Sequence, residues 1–347
     1  MQRSNATTIV VAGMAAAVVL AATSCSTPEA SRFPVLHGDY LGQALPSPVP
    51  QLFAPGLVST GLFTRDVAVT PDGDEIYFSV AVPGASAIMV VHREAGIWRE
   101  PRVAQFSGVW RDFEPFVAAD GRRLLFLSNR PPRGEDPRPG WGHQNIWQVQ
   151  RQDGGWGEPE LLPGPVNTDA PEFYPSLTAD GTLYFARGSG GLKATILRSR
   201  WVDGALAEPE ELGPQVNAGE SQYNGFISPG EDLLLFAATG RADSRGGSDC
   251  YVSFRSPDDR WSGPVNLGDL VNDAGDCDAA TLSPDGRFLF FMSTRRDPAQ
   301  GPDISGFSLR DLVARQMAPG NGSADIYWMD AGFISELRRL AEAAPSV

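Results

Sequence analysis

The chain has little of what metal and nucleophile chemistry draw on. Its 347 residues include three histidines, His37, His92 and His143, and no two stand at a zinc-ligand spacing, so they read as surface or loop residues rather than ligands. No Gly-x-Ser-x-Gly elbow and no Gly-x-x-x-x-Gly-Lys loop is present, which argues against nucleophile-elbow hydrolases and phosphate-cradling nucleotide enzymes. No cofactor and no metal site are expected. Positive charge is also short. Lys and Arg together number 28 against 42 Asp and Glu, a formal net charge of −14, and such a surface repels phosphate backbones, so no nucleic-acid partner is expected. The one extended apolar run, residues 9 to 22, falls short of the roughly 20 residues that a membrane-spanning helix needs.

Turn and core material is abundant. The sequence holds 38 Gly and 29 Pro, with 42% hydrophobic and 10% aromatic residues, a mixture that favours an all-β fold. From residue 51 one phrase recurs five times: a β-prone run, a tight turn and a second, more aromatic run. The turns are Thr70-Pro71-Asp72-Gly73, Ala118-Ala119-Asp120-Gly121, Thr178-Ala179-Asp180-Gly181, Ser228-Pro229-Gly230 and Ser283-Pro284-Asp285-Gly286. Gly accepts a positive φ and Asp bonds its own turn backbone, which is hairpin chemistry.

After the turns come Ile76-Tyr77-Phe78, Leu124-Leu125-Phe126, Leu183-Tyr184-Phe185, Leu233-Leu234-Leu235-Phe236 and Phe288-Leu289-Phe290-Phe291. Apolarity on both faces of such strands means that each sheet is stacked between two others. Third strands follow at Asn145-Ile146-Trp147, Thr195-Ile196-Leu197, Asp249-Cys250-Tyr251 and Asp325-Ile326-Tyr327. Fourth strands start near Trp98-Arg99-Glu100-Pro101, Trp156-Gly157-Glu158-Pro159, Leu206-Ala207-Glu208-Pro209 and Trp261-Ser262-Gly263-Pro264. Four strands per repeat make a propeller blade.

The fifth repeat has no fourth strand of its own. Leu52-Phe53-Ala54-Pro55-Gly56-Leu57-Val58 echoes Leu161-Leu162-Pro163-Gly164-Pro165-Val166-Asn167, so the N-terminal segment is predicted to complete the last blade and remove the open sheet edges. The expected fold is therefore an all-β, single β-propeller of five four-stranded blades closed by an N-terminal strand. Six blades remain open if residues 33–60 supply more than one strand. A C-terminal amphipathic helix over 331–344 follows, with Phe333, Ile334, Leu337 and Leu340 as its apolar stripe.

The N-terminus reads as an export signal. Arg3 and the apolar run precede Leu20-Ala21-Ala22-Thr23-Ser24-Cys25, which resembles a lipobox, with Cys25 the lipidated residue. Residues 1–24 are then a lipoprotein signal peptide and 25–50, rich in Pro, Ser and Ala, a flexible tether. The propeller spans 51–330, and 331–347 form the helix and tail. The repeat resembles the TolB-type, WD-like propeller repeat, on its Asp-Gly turn, aromatic strand, Gly-rich loop and Trp-x-x-Pro, and on the ending Ala324-Asp325-Ile326-Tyr327-Trp328-Met329-Asp330-Ala331. That resemblance implies a binding role in the cell envelope and carries no reaction with it. Ser26 after the cysteine resembles the outer-membrane sorting pattern, so the expected place is the outer membrane, facing the periplasm, with the lipid anchor as the membrane contact.

Aligned on their turns, the repeats bring together Asp66, Glu114, Tyr174 and Asn224, and two residues upstream Asp112, Glu172 and Cys277. The returning hairpins carry Arg130, Arg187, Arg241 and Arg295 to the same end. The expectation is a polar channel mouth that binds a protein, a peptide or an envelope glycan. The competing reading is that these charges pair within or between the blades and close the ring. A further alternative is a carbohydrate hydrolase or lyase with a pair such as Asp66 and Glu172 acting as base and acid. Cys250 and Cys277 are either a disulfide or two buried thiols. Asp273, Asp276 and Asp278 read as a solvated acidic turn rather than a calcium loop. The Pro-rich loop 131–142, with Trp141 beside His143, extends the mouth or stands free.

Overall fold

The computed structural model describes residues 33–343, apart from 192 and 274, and its elements lie in the unit Val35–Val347. Five antiparallel sheets follow one another along the chain. The blades' three inner strands are Phe63–Val69, Glu75–Val82 and Ala85–Glu94; Asp112–Val117, Arg123–Ser128 and Asn145–Gln152; Glu172–Leu177, Leu183–Gly190 and Lys193–Ser199; Ser221–Ile227, Leu233–Thr239 and Asp249–Phe254; Cys277–Leu282, Phe288–Ser293 and Asp325–Asp330. Short outer strands complete the first four, among them Arg102–Val103, Glu160–Leu161, Glu210–Glu211 and Val265–Asn266. The second strands are the driest. Leu124, Leu125, Phe126, Tyr184, Phe185, Leu234, Leu235 and Phe236 are wholly buried, because each sheet is covered on both faces.

The fifth blade closes as the sequence echo predicts. Gln51–Leu52 pairs antiparallel with the third strand, Gln51 opposite Trp328 and Leu52 opposite Tyr327. Ser59 then accepts from Ile326 N at 3.2 Å and donates to Ile326 O at 2.9 Å. Asn167, Asn217 and Asn272 do the same for Ile146, Ile196 and Cys250 in the second, third and fourth blades. A small polar side chain thus satisfies the third-strand backbone that the two-residue outer strand leaves unpaired.

The expected tether over 25–50 does not hold for its second half. From Leu36 onward the chain is packed: Leu36 O accepts Trp98 N at 3.0 Å and Gly38 O accepts Trp98 Nε1 at 2.7 Å. Asp39 pairs with Arg93 at 2.8 Å, Tyr40 lies against Phe288 and Trp328, and Leu41 is buried. Proline and serine hid a handful of anchoring side chains in a segment without periodicity. Residues 1–32, with Cys25 and the signal sequence, lie outside the described residues.

The turns obey the Asp-Gly logic, with one exchange. Gly73, Gly121, Gly181 and Gly286 take positive φ, whereas in the fourth blade Glu231 holds that conformation at φ 56°. Its side chain accepts from Tyr184 Oη at 2.8 Å and pairs with Arg255, contacts that help offset the strain of a non-glycine residue there.

The C-terminal third holds one helix that the sequence did not show and the amphipathic helix that it did. Helix α1 (Leu309–Gln316), capped by Ser308 and Asp311, interrupts the loop between the second and third strands of the fifth blade. Helix α2 (Ile334–Ala343) packs on the fourth and fifth blades through Ile334, Phe333, Leu337 and Ala341. Leu340, predicted for that stripe, is exposed.

Cys250 and Cys277 form a disulfide, with Cα atoms 5.6 Å apart, that joins the third strand of the fourth blade to the inner strand of the fifth. The sequence left this open because inter-blade distance is not readable from spacing. Denatured, unreduced protein is expected to show no free thiol at either position. Cys277→Ser is expected to cost about 3–4 kcal/mol in urea unfolding, the loop-closure scale for a bridge 27 residues apart; an unchanged unfolding midpoint contradicts this.

Asp325, fully buried, accepts from Gly320 N at 2.7 Å and anchors the loop that carries α1. Burial raises its pKa to about 6. A raised carboxyl makes the folded state bind the proton more tightly than the unfolded chain, so the ionised group costs stability above pH 6 and that cost fades as the pH falls toward 4. From pH 7.5 to 5 the group is expected to contribute a gain of about 1 kcal/mol. Asp325→Asn should remove that pH-dependent increment, and identical pH profiles for the two proteins would refute the assignment.

Candidate functional site

The inner strands carry a bulge in every blade. Pairing registers slip between Arg65 and Val67, Phe113 and Phe116, Phe173 and Ser176, Tyr223 and Phe226, and Asp278 and Thr281. The bulged residues Asp66, Glu114, Tyr174, Asn224 and Ala279 have φ of 58°, 60°, 51°, 53° and 54°. None is glycine, so each holds a conformation that costs on the order of 1 kcal/mol or more. Neighbouring blades secure it. Glu114 N donates to Asp66 Oδ2 at 3.3 Å and to Ser79 Oγ at 3.0 Å, and Tyr174 N donates to Glu114 Oε2 at 2.7 Å. The carboxylate of one blade therefore takes the amide that the next blade's bulge frees from its sheet.

These residues form a buried inner layer around the axis. Arg65 Nε donates to Asp66 at 2.8 Å and its Nη2 lies 3.5 Å from Glu114. Burial pushes the Glu114 carboxyl upward against the opposing pull of Arg65. Tyr174, also pushed up by burial, packs against Ala279, Met292 and Ala324 of the fifth blade, so it reaches across the axis and fills it. Below this layer the channel is apolar, with Phe116 and Phe226 tilted together at 6.4 Å. It opens at the Asp-Gly turns as a cavity of about 330 Å³ bounded by Val67, Leu177, Ile227 and Leu282.

The remaining predicted mouth residues do not join this layer. Arg130 pairs with Asp112 at 2.9 Å, bonds Ser128 and the Phe106 carbonyl, and lies over the Phe126 and Trp147 rings. Arg187 pairs with Glu172 at 2.8 Å, bonds Val166 O and lies over Phe185. Arg241 bonds Ala218 O and Arg295 bonds Val271 O, each above the rings of its own blade. Asp112 and Glu172 are fully buried, and burial raises both carboxyls. These six residues fasten the loops that enter the second to fifth blades, with Arg130–Asp112 and Arg187–Glu172 paired within their blades. The expectation of one gathered mouth is corrected: residues two apart on the inner strand were read as one group, but the upstream member turns toward its own blade's entry loop.

A ring that the turn alignment passed over stands one residue before each bulge: Arg65, Phe113, Phe173, Tyr223 and Asp278, seven positions ahead of Asp72, Asp120, Asp180, Gly230 and Asp285. All five are partly exposed, whereas the bulged residues behind them are buried. Tyr223 Oη donates to Ser248 Oγ at 2.8 Å, and Ser248 Oγ donates to Asp278 at 2.7 Å. Burial raises the Asp278 carboxyl, again against Arg65. Phe173 packs on the Tyr174 cluster, and Phe113 lies 5.9 Å from the ring of Trp141.

Trp141 belongs to the Pro-rich loop, which is therefore partly docked. With Asn145, Thr168 and Pro171 it borders a small hollow of about 90 Å³, and His143 is buried with Nε2 3.0 Å from Asp136 O. Asp273, Asp276 and Asp278 turn to different partners, Gly275 N, Ser248 N and Ser248 Oγ. Among the described residues no group of three or more His, Cys, Asp or Glu is placed to hold a metal ion.

No family model and no curated protein matches the chain. Solved structures do. A TolB from Acinetobacter baumannii aligns with 78% of this chain and 54% of its own at 12% identity and a TM-score of 0.41; this chain thus spans about half of it. A GH43 endo-arabinanase from Bacillus licheniformis covers 77% and 93% at 11% identity and 0.47. The arabinanase Arb43A of Bacillus subtilis covers 79% and 96% at 12% identity and 0.48. These are similarities to proteins of more than one kind, too distant to transfer an activity.

Proposed function

We propose that this chain is an exported, lipid-anchored propeller that acts as a binding module, taking its ligand at the axial mouth framed by Arg65, Phe113, Phe173, Tyr223 and Asp278. The observation that carries the reading is the asymmetry of this ring. The bulges behind it repeat in all five blades, yet the side chains set before them are one guanidinium, one carboxylate and three aromatic rings. A ring that served closure alone has no use for such differences, whereas a ligand with polar and flat apolar faces does. An envelope glycan suits aromatic platforms edged by charged groups, and is preferred to a protein or peptide partner.

The second reading is carbohydrate hydrolysis. It draws on Glu114, whose raised pKa keeps it closer to an acid, beside Asp66. The pair Asp66 and Glu172 does not serve, because Glu172 is buried on Arg187 and Thr168. Against hydrolysis, Asp66 and Glu114 already accept the bonds that hold Glu114 and Tyr174 in their bulges, so neither is free to change its role without loosening the inner layer.

The anchor is tested separately. Cells fed a radiolabelled fatty acid are expected to label the wild-type protein and not Cys25→Ser, with the labelled protein in the outer-membrane fraction; equal labelling of both removes the lipid anchor from the account. For the mouth, titration of the solubilised protein against a saccharide and peptide panel is expected to give saturable binding that Phe173→Ala weakens at least tenfold in protein that circular dichroism shows to be folded at the assay temperature. Turnover of a saccharide into shorter products, abolished by Glu114→Gln, would instead establish the hydrolase.

A further inference from the structure

The hollow beside the Pro-rich loop holds a side chain that the fold does not use. Asn145 opens the third strand of the second blade, the place that Asp249 and Asp325 take in the fourth and fifth. Those two aspartates accept from amides of the loop that precedes them, Asp249 from Arg245 N and Gly246 N, and Asp325 from Gly320 N. They tie that loop to its strand. Asn145 is 5% exposed, yet its side-chain amide makes no hydrogen bond among the described residues. It borders the hollow of about 90 Å³, several times the space that one water needs. A buried amide left so is costly unless something in the hollow bonds to it.

The other groups of the wall narrow what that is. Arg138 offers donors, since its contacts to Gly142 O and Glu135 are both long at 3.4 Å. Asp169 offers acceptors, its exposed carboxylate making no hydrogen bond or ion pair among the described residues. Thr168 already donates to Glu172, and His143 bonds Asp136 O. The Asn145 amide both donates and accepts. A carboxylate or phosphate only accepts and would meet Asp169; an ammonium only donates and would meet Arg138. Sugar hydroxyls do both, and the carbon-bound face of a sugar ring suits the indole of Trp141.

We infer that the hollow is a subsite for one neutral sugar unit, its hydroxyls exchanging hydrogen bonds with the Asn145 amide and its ring set against Trp141. This rests on the binding-module reading above and adds a second place to it. Trp141 lies 5.9 Å from Phe113, which frames the mouth, so a glycan lying over the mouth can continue into the hollow.

Side-chain amide NMR of the solubilised full chain tests this, with the Asn145 resonances identified by their loss in Asn145→Ala. The probes are the methyl glycosides of glucose, galactose, mannose and N-acetylglucosamine, with glycine as a zwitterion. At least one glycoside is expected to shift the Asn145 resonances saturably, and glycine to leave them in place. Asn145→Ala is expected to weaken that glycoside at least tenfold in protein that circular dichroism shows to be folded, because it removes no intramolecular hydrogen bond. Trp141→Ala, at a partly exposed position, provides a second variant and should weaken it at least threefold. Glycine shifting Asn145 in place of the glycosides overturns the sugar assignment in favour of an amino acid. Glycoside binding that Phe173→Ala abolishes and Asn145→Ala leaves unchanged overturns the subsite while the mouth stands, and no binding by any saccharide or peptide removes both.

Discussion

Everything at the axis depends on a left-handed residue in the middle of each inner strand. An extended strand presents successive side chains to opposite faces, and five such strands round an axis would give an apolar, uniform channel. One residue at positive φ breaks that alternation. It leaves the preceding side chain at the open mouth and the bulged one buried behind it, and in the second and third blades it frees an amide that the preceding blade's Asp66 or Glu114 accepts. The polar centre is thus a consequence of backbone geometry imposed on an otherwise apolar repeat.

Closure makes this geometry worth holding. The strain of five non-glycine bulges and the burial of Asp66, Glu114 and Asn224 are tolerable only in a ring that cannot splay, since an uncompensated buried polar group is expensive. Gln51–Leu52 and Ser59 complete the fifth blade from the other end of the chain, the Cys250–Cys277 bridge ties the last two blades, and the arginines over aromatic rings pin the entry loops of four blades. Stability and the candidate site are therefore separable: the arginines with Asp112 and Glu172 serve the first, the ring before the bulges the second.

The fold was legible because its signals are local and repeated. Asp-Gly turns fix hairpins, continuous apolar strands fix burial on both faces, and the likeness of residues 52–58 to 161–167 fixes the closing strand. Four bulged residues were also within reach, through their distance from the turns. What was not legible depends on the third dimension. Asp112 and Glu114 are two apart, and only the bulge sends them to different places. The column holding Arg65, Phe113, Phe173, Tyr223 and Asp278 looks unrelated as a list, because its meaning lies in facing a common axis. Leu36 and Tyr40 look like linker until Trp98 and Phe288 are set beside them.

The bulge amides test the account most directly. Residue-resolved hydrogen exchange should find the amides of Glu114 and Tyr174, bonded to carboxylates of the preceding blades, among the slowest in their strands, opening only with global unfolding. Exchange at both as fast as in the exposed loops would mean that the carboxylates do not hold the bulges, and the inner layer and the mouth built on it would then fall together.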